Sequence, residues 1–210
     1  REVKKVLRYF FDFETSTGEK NPDGTNSNHI AYGVSVHFGD EEKQWFEGED
    51  LVENTLRWMT TSVGRQTGNF KFLKDYKILM LAHNLTYDIS FLIDRIMCTN
   101  VLQKGSKTLT ANCSRMVPCE CEHEEGHRGY IDVKFQLKDT LCMINMPLSK
   151  FGKCFNLETQ KDVMPYALYT KENIAKRLCK ISEAVQIFKD TEKEHEIKQF
   201  LKILEELKLI

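Results

Sequence analysis

A pair of carboxylates, Asp12 and Glu14, follows the first apolar run of the chain, residues 6–11. Side chains alternate along a strand, so the two carboxylates are expected on one face of a sheet, ~7 Å apart, with Phe13 on the other face. Like charges at this spacing repel each other unless a cation joins them, and hard cations such as Mg²⁺ prefer carboxylate oxygens. The tripeptide predicts either a metal site or an ordinary solvated strand end.

A third carboxylate, Asp88, ends the segment 84–88, which follows a second apolar run, residues 78–82. The pattern predicts a buried strand followed by a helix, and the strand end is expected to present Asp88 beside the first pair. Three converging carboxylates are what two-metal hydrolysis of a phosphodiester requires, with one ion activating a water and the other stabilising the leaving oxygen. We therefore take Asp12, Glu14 and Asp88 as candidate ligands of two Mg²⁺ or Mn²⁺ ions.

The two motifs resemble the first two exonuclease motifs of family B DNA polymerases. More narrowly, they resemble the protein-primed branch found in viruses, linear plasmids and large self-replicating transposons. Further matches follow in the same order, and they are Lys138-Asp139-Thr140-Leu141, residues 147–155 and residues 164–169. The resemblance covers roughly residues 5–170, and an ordered series is harder to obtain by chance than one motif.

The resemblance implies an RNase H-like (DnaQ-like) 3′–5′ proofreading exonuclease domain, an α/β fold with a three-layer mixed sheet and flanking helices. It implies that the three carboxylates bind the metals, and that a hydroxyl, an amide and an aromatic side chain hold the single-stranded primer end. In this chain those three residues are Thr15, Asn84 and Tyr87. Polar groups can hold phosphate or sugar oxygens, and an aromatic ring stacks on an unpaired base with ~1–3 kcal/mol. For Tyr87 the alternative is simple packing at a helix start.

The third motif of the family, Tyr-x-x-x-Asp, is absent from these 210 residues. Asp190 and Glu194 are possible substitutes, but both lie in a charge run typical of a solvated helix face. The chain starts at Arg1 without a methionine and stops at Ile210 before a third motif, so we expect a domain that is truncated at both ends and is weakly active or inactive alone. Polymerase palm and fingers are expected in cis beyond Ile210, with a terminal priming protein as a further partner.

Composition favours one soluble domain, residues 1–210. The net charge of −1 argues against a dominant basic nucleic-acid footprint. No apolar run reaches the ~20 residues that a membrane span needs. Seven scattered cysteines suit a reducing, intracellular compartment, while nucleus, cytoplasm and organelle stay open.

A cluster of soft ligands offers a separate metal hypothesis. It comprises Cys113, Cys119, Cys121, His123 and His127. Four such ligands can hold a tetrahedral zinc, but this spacing fits no standard zinc finger. The acidic and glycine-containing surroundings favour the exposed tip of a hairpin joining 108–113 to 130–137, so a structural zinc is not expected.

Periodicity predicts the elements that position these residues. We expect strands at 6–13, 30–38, 43–46 and 78–82, helices at 49–63 and 87–97, short helices within 140–155 and helices from 171 onward. Residues 16–28 are expected to form a loop. Two other functions remain open, namely a stand-alone exonuclease acting on RNA or DNA, and a degenerate module that binds single-stranded DNA or docks a priming protein.

Overall fold

The computed structural model describes residues 5–16, 29–39, 42–67, 76–118, 129–157, 168–176, 179–191 and 194–208. The chain divides into two compact units. The first comprises Arg1–Glu14 with Gly33–Met146, and the second comprises Thr15–Tyr32 with Pro147–Ile210. The domain boundary 1–210 therefore stays a prediction.

The described strands form one mixed sheet of seven, in the order β3-β2-β1-β4-β7-β6-β5. They are β1 (Lys5–Thr15), β2 (Ala31–Phe38), β3 (Glu42–Glu47), β4 (Tyr76–Ala82), β5 (Met97–Lys104), β6 (Lys107–Pro118) and β7 (Tyr130–Asp139). β4 pairs in parallel with both β1 and β7, whereas β2–β3, β5–β6 and β6–β7 are antiparallel. The near-continuous apolar sequence of β4 is typical of a central parallel strand, and the predicted buried strand at 78–82 is confirmed.

Among the described residues of the first unit, two α-helices accompany the sheet, α1 (Leu51–Thr67) and α2 (Leu85–Leu92). α1 buries Leu51, Leu56 and Met59, whose spacing places them on one side of the helix. Trp58 of the same helix contacts Tyr9 of β1, with ring centroids 5.8 Å apart. The helix is therefore held against the sheet by aliphatic and aromatic packing.

The prediction of one helix through residue 97 is wrong. α2 ends at Leu92, a 3-10 turn occupies Ile93–Arg95, and β5 begins at Met97. β5 pairs with β6 through the turn after Lys104, where Gly105 has a φ of 61°. A short hairpin turn favours a left-handed residue, and glycine adopts it without steric strain. The pairing of β5 with β6 therefore outweighs the helical spacing of apolar residues that predicted a longer helix.

The second unit contains helices, as predicted for residues from 171 onward. Its helices are α3 (Phe151–Cys154), α4 (Lys171–Lys176), α5 (Ile181–Thr191) and α6 (Glu194–Glu206). Phe188 of α5 and Phe200 of α6 pack with ring centroids 4.4 Å apart, so the apolar sides of these helices face each other. Most of the predicted loop 16–28 lies outside the described residues. No helix in the described ranges has both the length and the apolar character of a membrane span.

Gly33 of β2 lies under the indole ring of Trp45 on β3. A Cβ atom at Gly33 would overlap that ring. The ring is also held by a hydrogen bond from its Nε1 to Glu47, at 3.2 Å. Glycine in a strand normally destabilises a sheet relative to alanine. At position 33 the close approach of Trp45 explains why the strand has glycine and not a larger residue.

Gly33→Ala is expected to lower the free energy of unfolding by about 1 kcal/mol, because the methyl group displaces the Trp45 ring. In a Trp45→Ala background the same change is expected to stabilise the protein by about 0.5–1 kcal/mol, because alanine suits a strand better than glycine. Urea unfolding of the four proteins of this double-mutant cycle measures both values. Equal effects of Gly33→Ala in the two backgrounds would contradict the packing argument.

Candidate functional site

A hydrogen bond joins the two acidic motifs. The backbone N–H of Phe13, between Asp12 and Glu14 on β1, donates to Oδ1 of Asp88 on α2 at 3.0 Å, across 75 residues of sequence. Asp88 is only 2% exposed. The first turn of α2 is thereby held against the strand that carries the first motif.

The alternation predicted for β1 is observed. Tyr9, Phe11 and Phe13 are buried, whereas Asp12 is exposed and Glu14 is half-buried. Phe13 packs against Phe91 of α2, with ring centroids 5.2 Å apart. The apolar face of β1 therefore holds α2, while Asp12 and Glu14 project from the alternate positions.

The electrostatics of Asp88 reflect this position. The pKa of Asp88 is raised from 3.8 to about 7, chiefly by burial; the hydrogen bond from Phe13 lowers the pKa, and the nearby charges of Asp12 and Asp139 add to the rise. Asp88 is thus a carboxyl group whose ionised form is disfavoured by poor solvation and by like charge. A cation between Asp12 and Asp88 would relieve both effects.

Asn84 and Tyr87 lie at the start of α2. Asn84 occupies the N-cap position with a left-handed φ of 72°, which asparagine adopts more readily than most residues. Its carbonyl accepts the N–H of Tyr87 at 3.0 Å. The ring of Tyr87 is half-buried and meets Phe91 edge-on at 5.4 Å. The two predicted substrate residues therefore share one helix start with Asp88.

Thr15 is the last residue of β1 and belongs to the second unit. Its hydroxyl oxygen lies 3.4 Å from Nδ1 of His29. The sequence motifs assign no role to His29. The role of Thr15 in holding a primer end stays a prediction.

The fit of a metal ion rests on the chemistry of the donors. Asp12 and Asp88 interact electrostatically, and carboxylate oxygens are suitable ligands for Mg²⁺ or Mn²⁺. Within the ranges that the structure describes, however, no three His, Cys, Asp or Glu side chains form a group that could hold a metal. The chemistry of Asp12 and Asp88 suits a divalent cation, and metal binding by Asp12, Glu14 and Asp88 stays a prediction.

The two possible substitutes for the third motif are exposed on helices. Asp190 accepts a hydrogen bond from Gln186 at 2.9 Å, and Glu194 pairs with Lys198 at 2.7 Å. Both contacts join residues one helical turn apart, as expected of solvated helix faces.

The proposed zinc cluster falls largely on residues 119–128, which lie outside the described ranges. Cys113 is described and buried. Its sulfur lies 3.1 Å from that of Cys98 on β5, and burial raises the pKa of the Cys113 thiol. The expectation that no zinc is bound stays a prediction.

Asp139 is the charged residue near Asp88 to which sequence reasoning assigned no role. It ends β7 and is 2% exposed, and its charge contributes to the raised pKa of Asp88. The feature of the sequence that could have identified Asp139 was its position in the motif 138–141, at the end of an alternating strand.

Asp88→Asn is expected to raise the free energy of unfolding of the metal-free protein near pH 8, and to do so less at pH 5. Native Asp88 holds its proton more tightly than the unfolded chain does, so wild-type stability falls as pH rises from 3.8 towards 7. Asparagine keeps an oxygen for the Phe13 N–H but carries no charge. A tenfold change in an acid dissociation constant corresponds to ~1.4 kcal/mol. The rise of the Asp88 pKa from 3.8 to about 7 therefore limits the gain in the free energy of unfolding to ~4 kcal/mol.

Urea unfolding in EDTA at the two pH values measures this effect. Asp94→Asn, at an exposed carboxylate just after α2, is the matched control and is expected to change stability little at either pH. A loss of stability of Asp88→Asn at pH 8 would contradict the burial argument.

Comparison with solved structures identifies the fold. The chain matches phi29 DNA polymerase complexed with single-stranded DNA over 97% of its own length, with a TM-score of 0.50 and 16% identity. It also matches phi29 DNA polymerase complexed with primer–template DNA over 98% of its length, with a TM-score of 0.49 and 16% identity. In both cases it spans 32% of the polymerase chain. At this identity the first match shows the fold alone, and the expected RNase H-like α/β fold is confirmed.

Comparison with curated proteins found no match. A family model described as DNA polymerase type B, organellar and viral, matches residues 70–207. The matched region includes Asn84, Tyr87 and Asp88 but begins after the first motif, which contains Asp12 and Glu14. The hydrogen bond from Phe13 to Asp88 joins the first motif to the matched region. Since the match covers more than half of the chain, this protein belongs to the organellar and viral family of type B DNA polymerases.

Proposed function

We propose that this chain is the 3′–5′ exonuclease region of a protein-primed DNA polymerase and removes nucleotides from a single-stranded primer end. The observation that carries the proposal is the bond from the Phe13 N–H to Asp88, because it brings the carboxylates of the two motifs together. Membership of the family and the fold shared with phi29 polymerase support it. That the phi29 enzyme is seen with single-stranded DNA supports the choice of substrate.

In this proposal Asp12, Glu14 and Asp88 bind two Mg²⁺ or Mn²⁺ ions. The charges of Asp12 and Asp88 interact. Glu14 lies two residues after Asp12, on the same face of β1. The ions, when bound, supply activation of a water and stabilisation of the leaving oxygen. The burial of Asp88 keeps its carboxylate in a fixed orientation and excludes competing water.

The start of α2 holds the primer end. Asn84 is exposed, so its side-chain amide is free of the core and suits a phosphate or sugar oxygen. The half-buried ring of Tyr87 is steadied by Phe91 and suits stacking on the terminal base. For Thr15 the proposed role, contact with the primer end through its hydroxyl group, rests on the family resemblance alone.

The proposed partners are the polymerase region in cis and a terminal priming protein. The third exonuclease motif, which the family resemblance expects to complete the metal site, is absent from these 210 residues. These 210 residues alone are therefore proposed to be weakly active or inactive.

Asp12→Ala and Asp88→Ala, introduced into the full-length protein, are expected to slow Mn²⁺-dependent degradation of a 5′-labelled single-stranded oligonucleotide. A lost metal ligand removes several kcal/mol of transition-state stabilisation, which corresponds to about 100-fold or more in rate. Mn²⁺ affinity, measured by calorimetry, is expected to fall in the same variants.

Asp94→Ala is the matched control, since it removes an exposed carboxylate six residues after Asp88, and it is expected to leave both quantities unchanged. Degradation at the wild-type rate by Asp12→Ala and Asp88→Ala would refute the proposal. If the wild-type protein bound the oligonucleotide without metal and never cut it, the non-catalytic binding module would replace the exonuclease.

A further inference from the structure

Asp139 stands beside the turn that leads into α2. It is the last residue of β7, and its register partner on the parallel strand β4 is Ala82. β4 ends there, and residues 83 and 84 form the turn before α2. The side chain of Asp139 is 2% exposed, which is unusual for a carboxylate unless donors satisfy it.

The Asp139 carboxylate accepts three hydrogen bonds. Its Oδ1 accepts the backbone N–H of Asn84 and that of Leu141, each at 2.9 Å. Its Oδ2 accepts the thiol of Cys142 at 3.7 Å. The bond to Asn84 crosses 55 residues of sequence, whereas the other two lie within the turn after β7. Only the first therefore ties β7 to the start of α2.

Thr140 strengthens the same junction. Its hydroxyl group donates to the carbonyl of Ala82 at 3.2 Å and lies 3.1 Å from Nδ1 of His83. Residues 82–84 are thus contacted in succession by residues 139 and 140. This contact matters because Asn84 has a φ of 72°, and a left-handed non-glycine residue persists only where its surroundings hold it.

The geometry of the site depends on this turn. Asn84 caps α2, and its carbonyl accepts the N–H of Tyr87. Asp88, one residue later, reaches the Phe13 N–H. A rotation of the turn would therefore displace the predicted substrate residues and the predicted metal ligand together.

We propose that Asp139 is a positioning residue, whose carboxylate fixes the turn before α2 through the Asn84 N–H and so orients Asn84, Tyr87 and Asp88. The inference rests on the proposed exonuclease function for its consequence in catalysis. A direct metal ligand is the competing role, but Oδ1 of Asp139 already accepts two N–H donors. The two roles differ in their requirements: positioning needs an acceptor oxygen, and ligation needs the negative charge.

Two substitutions separate these roles. Asp139→Asn keeps an acceptor oxygen in place and loses the charge, whereas Asp139→Ala loses both. The matched control is Asp132→Ala, at an exposed carboxylate of the same strand. All three are made in the full-length protein.

Hydrogen exchange measured by mass spectrometry tests positioning without any need for activity. In Asp139→Ala, peptides covering residues 83–92 are expected to exchange about tenfold faster, as for the loss of a buried hydrogen bond to a carboxylate. In Asp139→Asn and Asp132→Ala the same peptides are expected to stay within about threefold of wild type. Unchanged exchange in folded Asp139→Ala would overturn the inference.

Degradation of the single-stranded oligonucleotide with Mn²⁺ tests the consequence. Asp139→Ala is expected to be slower by about tenfold or more, and Asp139→Asn to recover to within about threefold of wild type. If Asp139→Asn is as inactive as Asp139→Ala, the charge is required and the positioning role is wrong. If the wild-type protein itself is inactive, the exonuclease proposal fails, while the exchange result still decides the role of Asp139.

Discussion

The buried Asp88 carboxylate, held by the backbone N–H of Phe13, is the interaction on which the candidate site depends. Ionised carboxylates are poorly solvated inside a protein, and the hydrogen bonds from the backbone of Phe13 and of Asp88 itself offset only part of that effect. The charges of Asp12 and Asp139 oppose ionisation further. The structure therefore contains a buried carboxyl group whose ionised form is destabilised, and a nearby cation would stabilise that form.

The parallel strands explain why these groups meet. β1, β4 and β7 run in one direction, and their carboxyl ends lie at the same edge of the sheet. β1 delivers Asp12 and Glu14 to that edge, β4 leads into Asn84 and α2, and β7 ends at Asp139. Sites at the carboxyl ends of parallel strands are common in α/β proteins, because loops there can converge while the apolar strands fill the core.

Membership of the family and the geometry of the site support each other from different parts of the chain. The family match starts at residue 70 and so rests on the second motif and the residues after it. The first motif lies outside that match, yet Phe13 joins it to Asp88, and Phe91 packs on the Phe13 ring. The proximity of Asp12 to Asp88 is therefore a feature of the fold as well as of the motifs.

The sequence by itself determined the local features. The two-residue alternation of β1 exposes Asp12 and buries Phe13, and the spacing of Leu51, Leu56 and Met59 buries one side of α1, because such patterns depend on residues two to five positions apart. Only the tertiary structure decided that the helix containing Asp88 stops at Leu92 and gives way to β5, and that the charge of Asp139 acts on Asp88. The raised pKa of Asp88 also belongs to the tertiary structure. Each of these depends on burial and charge contributed by residues distant in sequence, and no local pattern records those contacts.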